Sequence, residues 1–217
     1  MAIRPPRRSA LGVTWCEDFR RGRLGVRKNQ GVIYQSAVRF VNIEGKWARF
    51  PADTAARIEY PTVRTTGVTA ITFGCWIRDV QSAGWCTPMC QATAINAARE
   101  FHFLANPGTD TIRFAVGVSG TERYASDTIT DWASKHMLVT TWQTGDSIRS
   151  YIDGQPGATA GPYAGSVTDS GWNLTFGGLV GGGGYTLDGQ VADPFVLMGR
   201  AMSAAEIQDL YRRSTFH

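Results

Sequence analysis

The 217-residue chain is 43% hydrophobic but only 18% charged, with a formal net charge of +4. A chain of this length makes one domain, or a domain with an appendage, and can bury roughly 70% of its unfolded surface. No run approaches the roughly 18 apolar residues of a membrane span, and the basic start lacks the apolar stretch of a secretory leader.

Residues 1–30 carry eight basic side chains against Glu17 and Asp18, a net +6, so the remainder is slightly acidic. Pro5, Pro6 and the glycines at 12, 22, 25 and 31 break any helical period. Residues 1–35 therefore read as an extended basic arm, with one short strand at Gly12–Trp15, and residues 36–217 as the folded domain. Organised patterning starts at Val38 and Phe40, which pair with Trp47 and Phe50 around a turn at Glu44-Gly45. Residues 69–80 alternate, with Ile71, Phe73, Cys75 and Ile77 on one face, and predict a half-buried strand. "REFHFLA" and "TIRFAVGV" predict a hairpin across Asn106-Pro107-Gly108, and "HMLVTTW" and "SIRSYID" another, followed by a turn at Asp153-Gly154. A glycine-rich loop, "GGLVGGGGYTLDG", leads into a strand "QVADPFVLM" whose Pro194 marks an edge or a bulge.

The last element is a helix. Ser203 and Glu206 form a capping box, and Met202 and Ile207 a hydrophobic staple. Ile207, Leu210 and Tyr211 share one face, and Arg212 and Arg213 suit the negative end of the dipole. About ten residues are too few to be stable alone, so this helix must pack on the body, docked through Ile207, Leu210 and Tyr211.

Phe73 and Trp76, Tyr151 to Gly154, and Ser203, Glu206, Ile207, Leu210 and Tyr211 occur in the order of an F-x-x-W strand, a Y-x-D-G hairpin and an L-S-x-x-E-I-x-x-L-Y helix. In this the chain resembles the laminin-G-like, concanavalin A-like jelly-roll superfamily over about residues 36–214. The resemblance implies an all-β, antiparallel sandwich closed by one short C-terminal helix. Ser134-Lys135-His136 and Ala192-Asp193-Pro194 depart from the pattern. The fold hosts lectins, hydrolases, adhesion modules and viral structural proteins, so it does not fix function.

Chemistry is sparse. The superfamily's hydrolases resemble one another in an E-x-D-x-x-E strand that sets two carboxylates about 5 Å apart. No such string occurs, and Glu59, Glu100, Glu122, Asp127 and Asp131 are scattered, so no catalytic residue is assigned. Cys86-x-x-x-Cys90 with His102 is too thin for zinc, and Cys75 falls in a core position. The four cysteines, Cys16 included, make no disulfide framework and are expected as free thiols. Asn106, Asp110, Asp146 and Asp169 offer calcium-type oxygens but read as turn residues, so no metal or cofactor is expected. Trp85, Trp132, Tyr163, Trp172 and Tyr185 sit in or near loops, where a lectin would stack them on sugar.

Stand-alone laminin-G-like proteins of this size resemble accessory proteins of tailed-phage particles. The leading expectation is therefore a non-catalytic virion protein, a capsid decoration (cement) protein made in the host cytoplasm. It would dock on the major capsid protein, or another virion protein, through Arg4, Arg7, Arg8, Trp15, Phe19, Arg20, Arg21 and Arg23, as a dimer or trimer. Arginine outnumbers lysine seven to one in this arm and suits carboxylates, so an acidic protein surface is expected rather than nucleic acid. The alternatives are a carbohydrate-binding adhesin or tail-associated lectin-like module, and a polysaccharide hydrolase, which the missing carboxylate pair disfavours.

Overall fold

The computed structural model describes residues 15–16, 32–34, 39–42, 46–52, 56–60, 64–92, 99–180 and 185–214, with side chains described from residue 47 onward. The strands of the N-terminal half are β1 (Trp15–Cys16), β2 (Val32–Tyr34), β3 (Arg39–Asn42), β4 (Lys46–Phe50), β5 (Arg57–Tyr60) and β6 (Ala70–Arg78). Next come β7 (Met89–Gln91), β8 (Phe101–Asn106), β9 (Thr111–Val118), β10 (Thr121–Thr128) and β11 (His136–Gln143). The chain ends with β12 (Asp146–Ile152), β13 (Gln155–Tyr163), β14 (Leu174–Phe176), β15 (Gly189–Met198) and the helix α1 (Ala204–Arg213). The strands form two antiparallel sheets, one ordered β13-β12-β11-β6-β15-β4-β3 with β1 added on β15, the other β10-β9-β8-β7-β14-β5-β2. This is the expected sandwich with its single short helix.

The expected pairings are present: β3 on β4, β8 on β9 and β11 on β12. Two pieces of the 1–35 segment also join the sheets, since Trp15 and Cys16 pair with Val196 and Phe195, and β2 pairs with β5. The expected strand at Gly12–Trp15 overlaps β1 at Trp15, and residues 12–14 lie outside the described residues. The Pro194 expectation is met by a bulge: the β15–β6 register shifts between Ala192 and Phe195, and Asp193 takes φ 42°.

Between the sheets lies an aromatic core. Phe73 sits 4.9 Å, centroid to centroid, from both Phe101 and Phe103, and Phe103 meets Phe114 edge-on at 5.5 Å. Where the sandwich would open at its side, Asp127 of β10 accepts from Ser150 Oγ and from the Ala158 amide, tying the edge strands of the two sheets.

The alternation in β6 predicts one wet face, and the structure corrects this: residues 71–78 are all buried. Ile71, Phe73, Cys75 and Ile77 face the core, while Trp76 belongs to a second apolar cluster with Trp47, Met137, Val139, Tyr151, Met202 and Ile207. The helix α1 covers that outer face. Thr72 donates its hydroxyl to Arg200 O and accepts from the Met202 amide, which aims the chain into the helix. The capping box of Ser203 and Glu206 then starts it, and Tyr211 stacks on Trp76 at 5.6 Å.

The Y-x-D-G hairpin is the floor of this seat. Tyr151 lies under the helix, and Asp153 accepts from the Met137 amide and from His136 Nδ1. Gly154 has φ +76° and would place a Cβ 2.8 Å from Cβ of Tyr211, so only glycine fits. The docking residues are unequal: Ile207 is fully buried, whereas Leu210 and Tyr211 are only partly so. Ile207→Ala is expected to cost about 2–5 kcal/mol in urea unfolding, and Leu210→Ala clearly less, because partial burial leaves a smaller cavity.

Candidate functional site

The outer face of the seven-stranded sheet differs in kind from that of its partner sheet. Alternation sends Phe114, Phe103 and Val116 to the core and their neighbours outward. One cross-strand row on that outer side runs Tyr124, Ala115, His102, Cys90, Thr175, Glu59. Apart from Tyr124, every member of the row is buried, although it faces away from the core. Leu179 and Tyr185, from the segment after β14, pack over Cys90 and Ala92 and supply part of the cover.

Most polar groups on or beside this face have partners. Glu59 accepts from Asn173 Nδ2 at 2.6 Å and pairs with Arg57. Glu100 is fully buried and accepts from Thr65 Oγ1, Gln91 Nε2, and both the amide and hydroxyl of Ser170. Arg99 pairs with Glu122 at 2.9 Å. The Cys90 thiol lies 2.8 Å from Thr175 Oγ1, and burial pushes its pKa up to about 12, so it is an inert packing group. Cys75 and Cys86 are likewise buried free thiols.

Two polar atoms have none among the described residues. Thr87 Oγ1 and His102 Nδ1 are buried without a hydrogen-bond partner among the described residues. Both line one small pocket, together with Ala92, Arg99, Leu104, Leu179 and Tyr185. Burial above all, then the charges of Arg99 and Arg113, lower the His102 pKa to about 3, so the ring is neutral. His102 Nε2 is 3.4 Å from Nη1 of Arg99, which can only donate. The ring proton therefore belongs on Nδ1, leaving a buried donor beside the Thr87 hydroxyl. An orphaned buried donor costs about 1–3 kcal/mol and is rare in folded proteins. Here a donor and a hydroxyl share a pocket of about 10 Å³ walled by Leu104, Leu179 and the Tyr185 ring, room for one water-sized oxygen such as a single hydroxyl.

The aromatic residues marked from sequence do not form one platform. Trp132 is buried, and its Nε1–H donates to Asp110 at 3.2 Å, so it offers no stacking face; in sequence it looks like a loop residue, but tertiary packing closes over it. Tyr163 lies on edge strand β13 beneath Arg123, and Trp172 is 40% exposed. Tyr185 lines the pocket, and Trp85 lies nearby with Arg113 stacked 4.6 Å from its ring. Arg4, Arg7, Arg8, Phe19, Arg20, Arg21 and Arg23 lie outside the described residues, as does the side chain of Trp15. Among the described residues no group of three or more His, Cys, Asp and Glu could hold a metal ion. Of the candidate calcium donors, Asp146 accepts from the Ser147 amide and Asp169 from the Gly171 amide within their own turns, and Asp110 accepts from the distant Trp132 indole.

A family model described as the concanavalin A-like lectin/glucanases superfamily, of the laminin-G type, matches residues 52–208. The chain belongs to that superfamily. No curated protein matches this lectin-like chain in sequence. Solved structures share its fold at low identity. The receptor binding domain of botulinum neurotoxin type G matches with a TM-score of 0.69 at 12% identity, covering 93% of this chain and 51% of that one. The binding domain of paraclostridial mosquitocidal protein 1 matches at 0.66 and 12%, covering 84% and 47%, and that of botulinum neurotoxin serotype D at 0.66 and 10%, covering 85% and 46%. The lectin-like chain thus spans about half the length of the structures it matches.

Sequence reading considered His102 only as a thin zinc ligand and did not mark Thr87, and only the tertiary structure brings the two together in one pocket. The neutral His102 gives a pH test of that burial. Its folded pKa lies below the unfolded value of about 6.5, so the unfolded chain binds the extra proton as pH falls, and stability is lost in acid. His136 works in the opposite sense: its pKa is raised, chiefly by the Asp153 hydrogen bond, and its contribution is lost as pH rises above about 6.5. Between pH 7 and pH 5 the wild type is expected to lose more thermal stability than His102→Gln does, as read by melting curves of both proteins at both values.

Proposed function

We propose that this protein is a non-catalytic, lectin-like binding module that takes a glycan on the outer face of its seven-stranded sheet. The observation that carries this is the pair of buried, unpartnered polar atoms, Thr87 Oγ1 and His102 Nδ1, in a pocket walled by Tyr185, Leu179 and Leu104. Fixed donors and acceptors between apolar and aromatic walls are what a sugar needs, since each hydroxyl must be matched and each C–H face covered. The carboxylates near this face support binding over hydrolysis. Glu59, Glu100 and Glu122 are each engaged by protein donors, and none is left to hand a proton to a leaving group. A binding role is also in keeping with the receptor binding domain among the structural neighbours.

A second reading concerns attachment, and the +6 charge of residues 1–30 favours it. The basic segment would dock the module on an acidic protein assembly, with a viral capsid and its major capsid protein as the leading case, so that the protein decorates the particle and displays its glycan face. Such binding weakens as salt rises, because exposed charges are screened over about 8–10 Å at ordinary ionic strength.

Immobilised glycans probed with wild type, Thr87→Val and Tyr185→Ala test the first reading. At least one glycan should be retained by the wild type, and each variant should bind it at least about tenfold more weakly, one lost hydrogen bond or stacking face being worth about 1–2 kcal/mol. Melting temperatures identify any variant that has merely unfolded. Unchanged binding in both variants would sink the assignment of the face.

A further inference from the structure

Arg113 stands on β9 in the same outer face, its register partners being Leu104 on β8 and Ser126 on β10. Its guanidinium carbon lies 4.6 Å from the ring centre of Trp85 and 4.7 Å from that of Tyr124. Both aromatic rings therefore hold the same cation, and Tyr124, 41% exposed, brings the array to the surface. Stacking occupies the faces of a guanidinium and leaves its N–H edge free to donate.

That edge has no protein acceptor. Arg49, Arg57, Arg78, Arg99 and Arg149 each reach a carboxylate, whereas Arg113, like Arg123 over Tyr163 on the edge strand, makes no hydrogen bond or ion pair among the described residues. Its neighbour Arg99 is neutralised by Glu122, so the positive charge left over on this part of the face is that of Arg113. The location is also specific: Leu104, its cross-strand partner, is a wall of the pocket that contains Thr87 and His102. A half-buried cation held by two rings loses little freedom on binding, and its planar fork matches the two oxygens of a carboxylate.

We propose that Arg113 is the anion-recognition residue of the site and that the glycan bound there is acidic, carrying the carboxylate of a uronic or sialic acid. The carboxylate would lie against the Arg113 edge at the rim while a sugar hydroxyl enters the pocket at Thr87 and His102. This rests on reading the outer face as a glycan site. Trp85, marked from sequence as a stacking surface for sugar, becomes instead the support of the arginine.

The test uses full-length protein and matched probes that differ in charge: oligogalacturonides against their methyl esters, and sialyllactose against lactose, with a sulfated glycan series alongside. Wild type should prefer at least one acidic member over its neutral match by tenfold or more. Arg113→Gln should bring that member down to the level of the neutral one, and Arg113→Lys should recover only part of the preference, since an ammonium neither stacks nor forks. Thr87→Val should weaken charged and neutral members together. Equal binding of charged and neutral forms, or an acidic preference that survives Arg113→Gln, would overturn the inference while leaving the site in place. Retention of sulfated glycans alone would overturn the carboxylate assignment. If wild type held no glycan of either kind, the reading of the face would fall, and this inference with it.

Discussion

The eight-stranded sheet has two apolar faces, and each must be covered. Its inner face meets the other sheet, and its outer face, with Trp47, Trp76, Val139 and Tyr151, is as apolar as a core. Leaving it wet would forfeit roughly 25 cal/mol for each Å² of apolar surface. The C-terminal helix meets this need, and much of the local design follows from it. Thr72 aims the chain into the helix, the capping box starts it, Gly154 clears room for Tyr211, and the aromatic ring of Tyr211 closes on Trp76. Apart from Phe73, which faces the core between the sheets, the motifs that mark the superfamily are, in this chain, parts of one seal. They identify architecture and are silent about chemistry.

The second sheet solves its covering problem differently. Its outer row carries a histidine, a threonine, a cysteine and a glutamate, with Arg99 and Glu122 close by. Burying such groups is tolerable only if they are matched. The engaged state of Glu59 and Glu100 shows how fully that requirement is met over most of the face. Against this background the orphaned atoms of Thr87 and His102, and the guanidinium of Arg113 with rings on its faces and nothing at its edge, stand out as departures. Unsatisfied groups cost stability and call for an explanation; Thr140 Oγ1 and Trp142 Nε1 on β11 are also buried without a partner among the described residues, but only Thr87 and His102 share a pocket. One face of the sandwich is therefore closed by packing, and the other carries the groups suited to recognition.

Charge separates a second task from the first. The basic residues of 1–30 flank β1, whose backbone pairs with β15 on the same sheet that the helix covers. The pocket lies on the opposite sheet. The same 1–35 segment also supplies β2, which pairs with β5 on the pocket's own sheet, so attachment and recognition, both proposals, draw on one sandwich.

By itself the sequence determined the fold class, the helix with its caps, the strong hairpins and an irregularity at Pro194, left open between a strand edge and a bulge. These rest on local rules: period-2 alternation, turn chemistry and capping act between residues close in the chain. It did not reveal β10 or β13. Both are edge strands, one polar along most of its length with Ala125 as its buried member, the other carrying Pro156 and Pro162, so neither shows an alternating apolar face. The sequence placed Trp132 in a loop, where it is, but offered it as a stacking face although it is buried, and misread β6 as half-buried, because exposure depends on what a distant segment lays on top. The site was the least legible part. Thr87, His102 and Arg113 come from different strands and connections, and nothing in their spacing links them; the strand register sets Leu104 beside Arg113, and Leu179 and Tyr185 wall the pocket. Only the tertiary structure could decide which polar groups found partners, since a hydrogen bond between residues far apart in the chain leaves no trace in either one's local sequence.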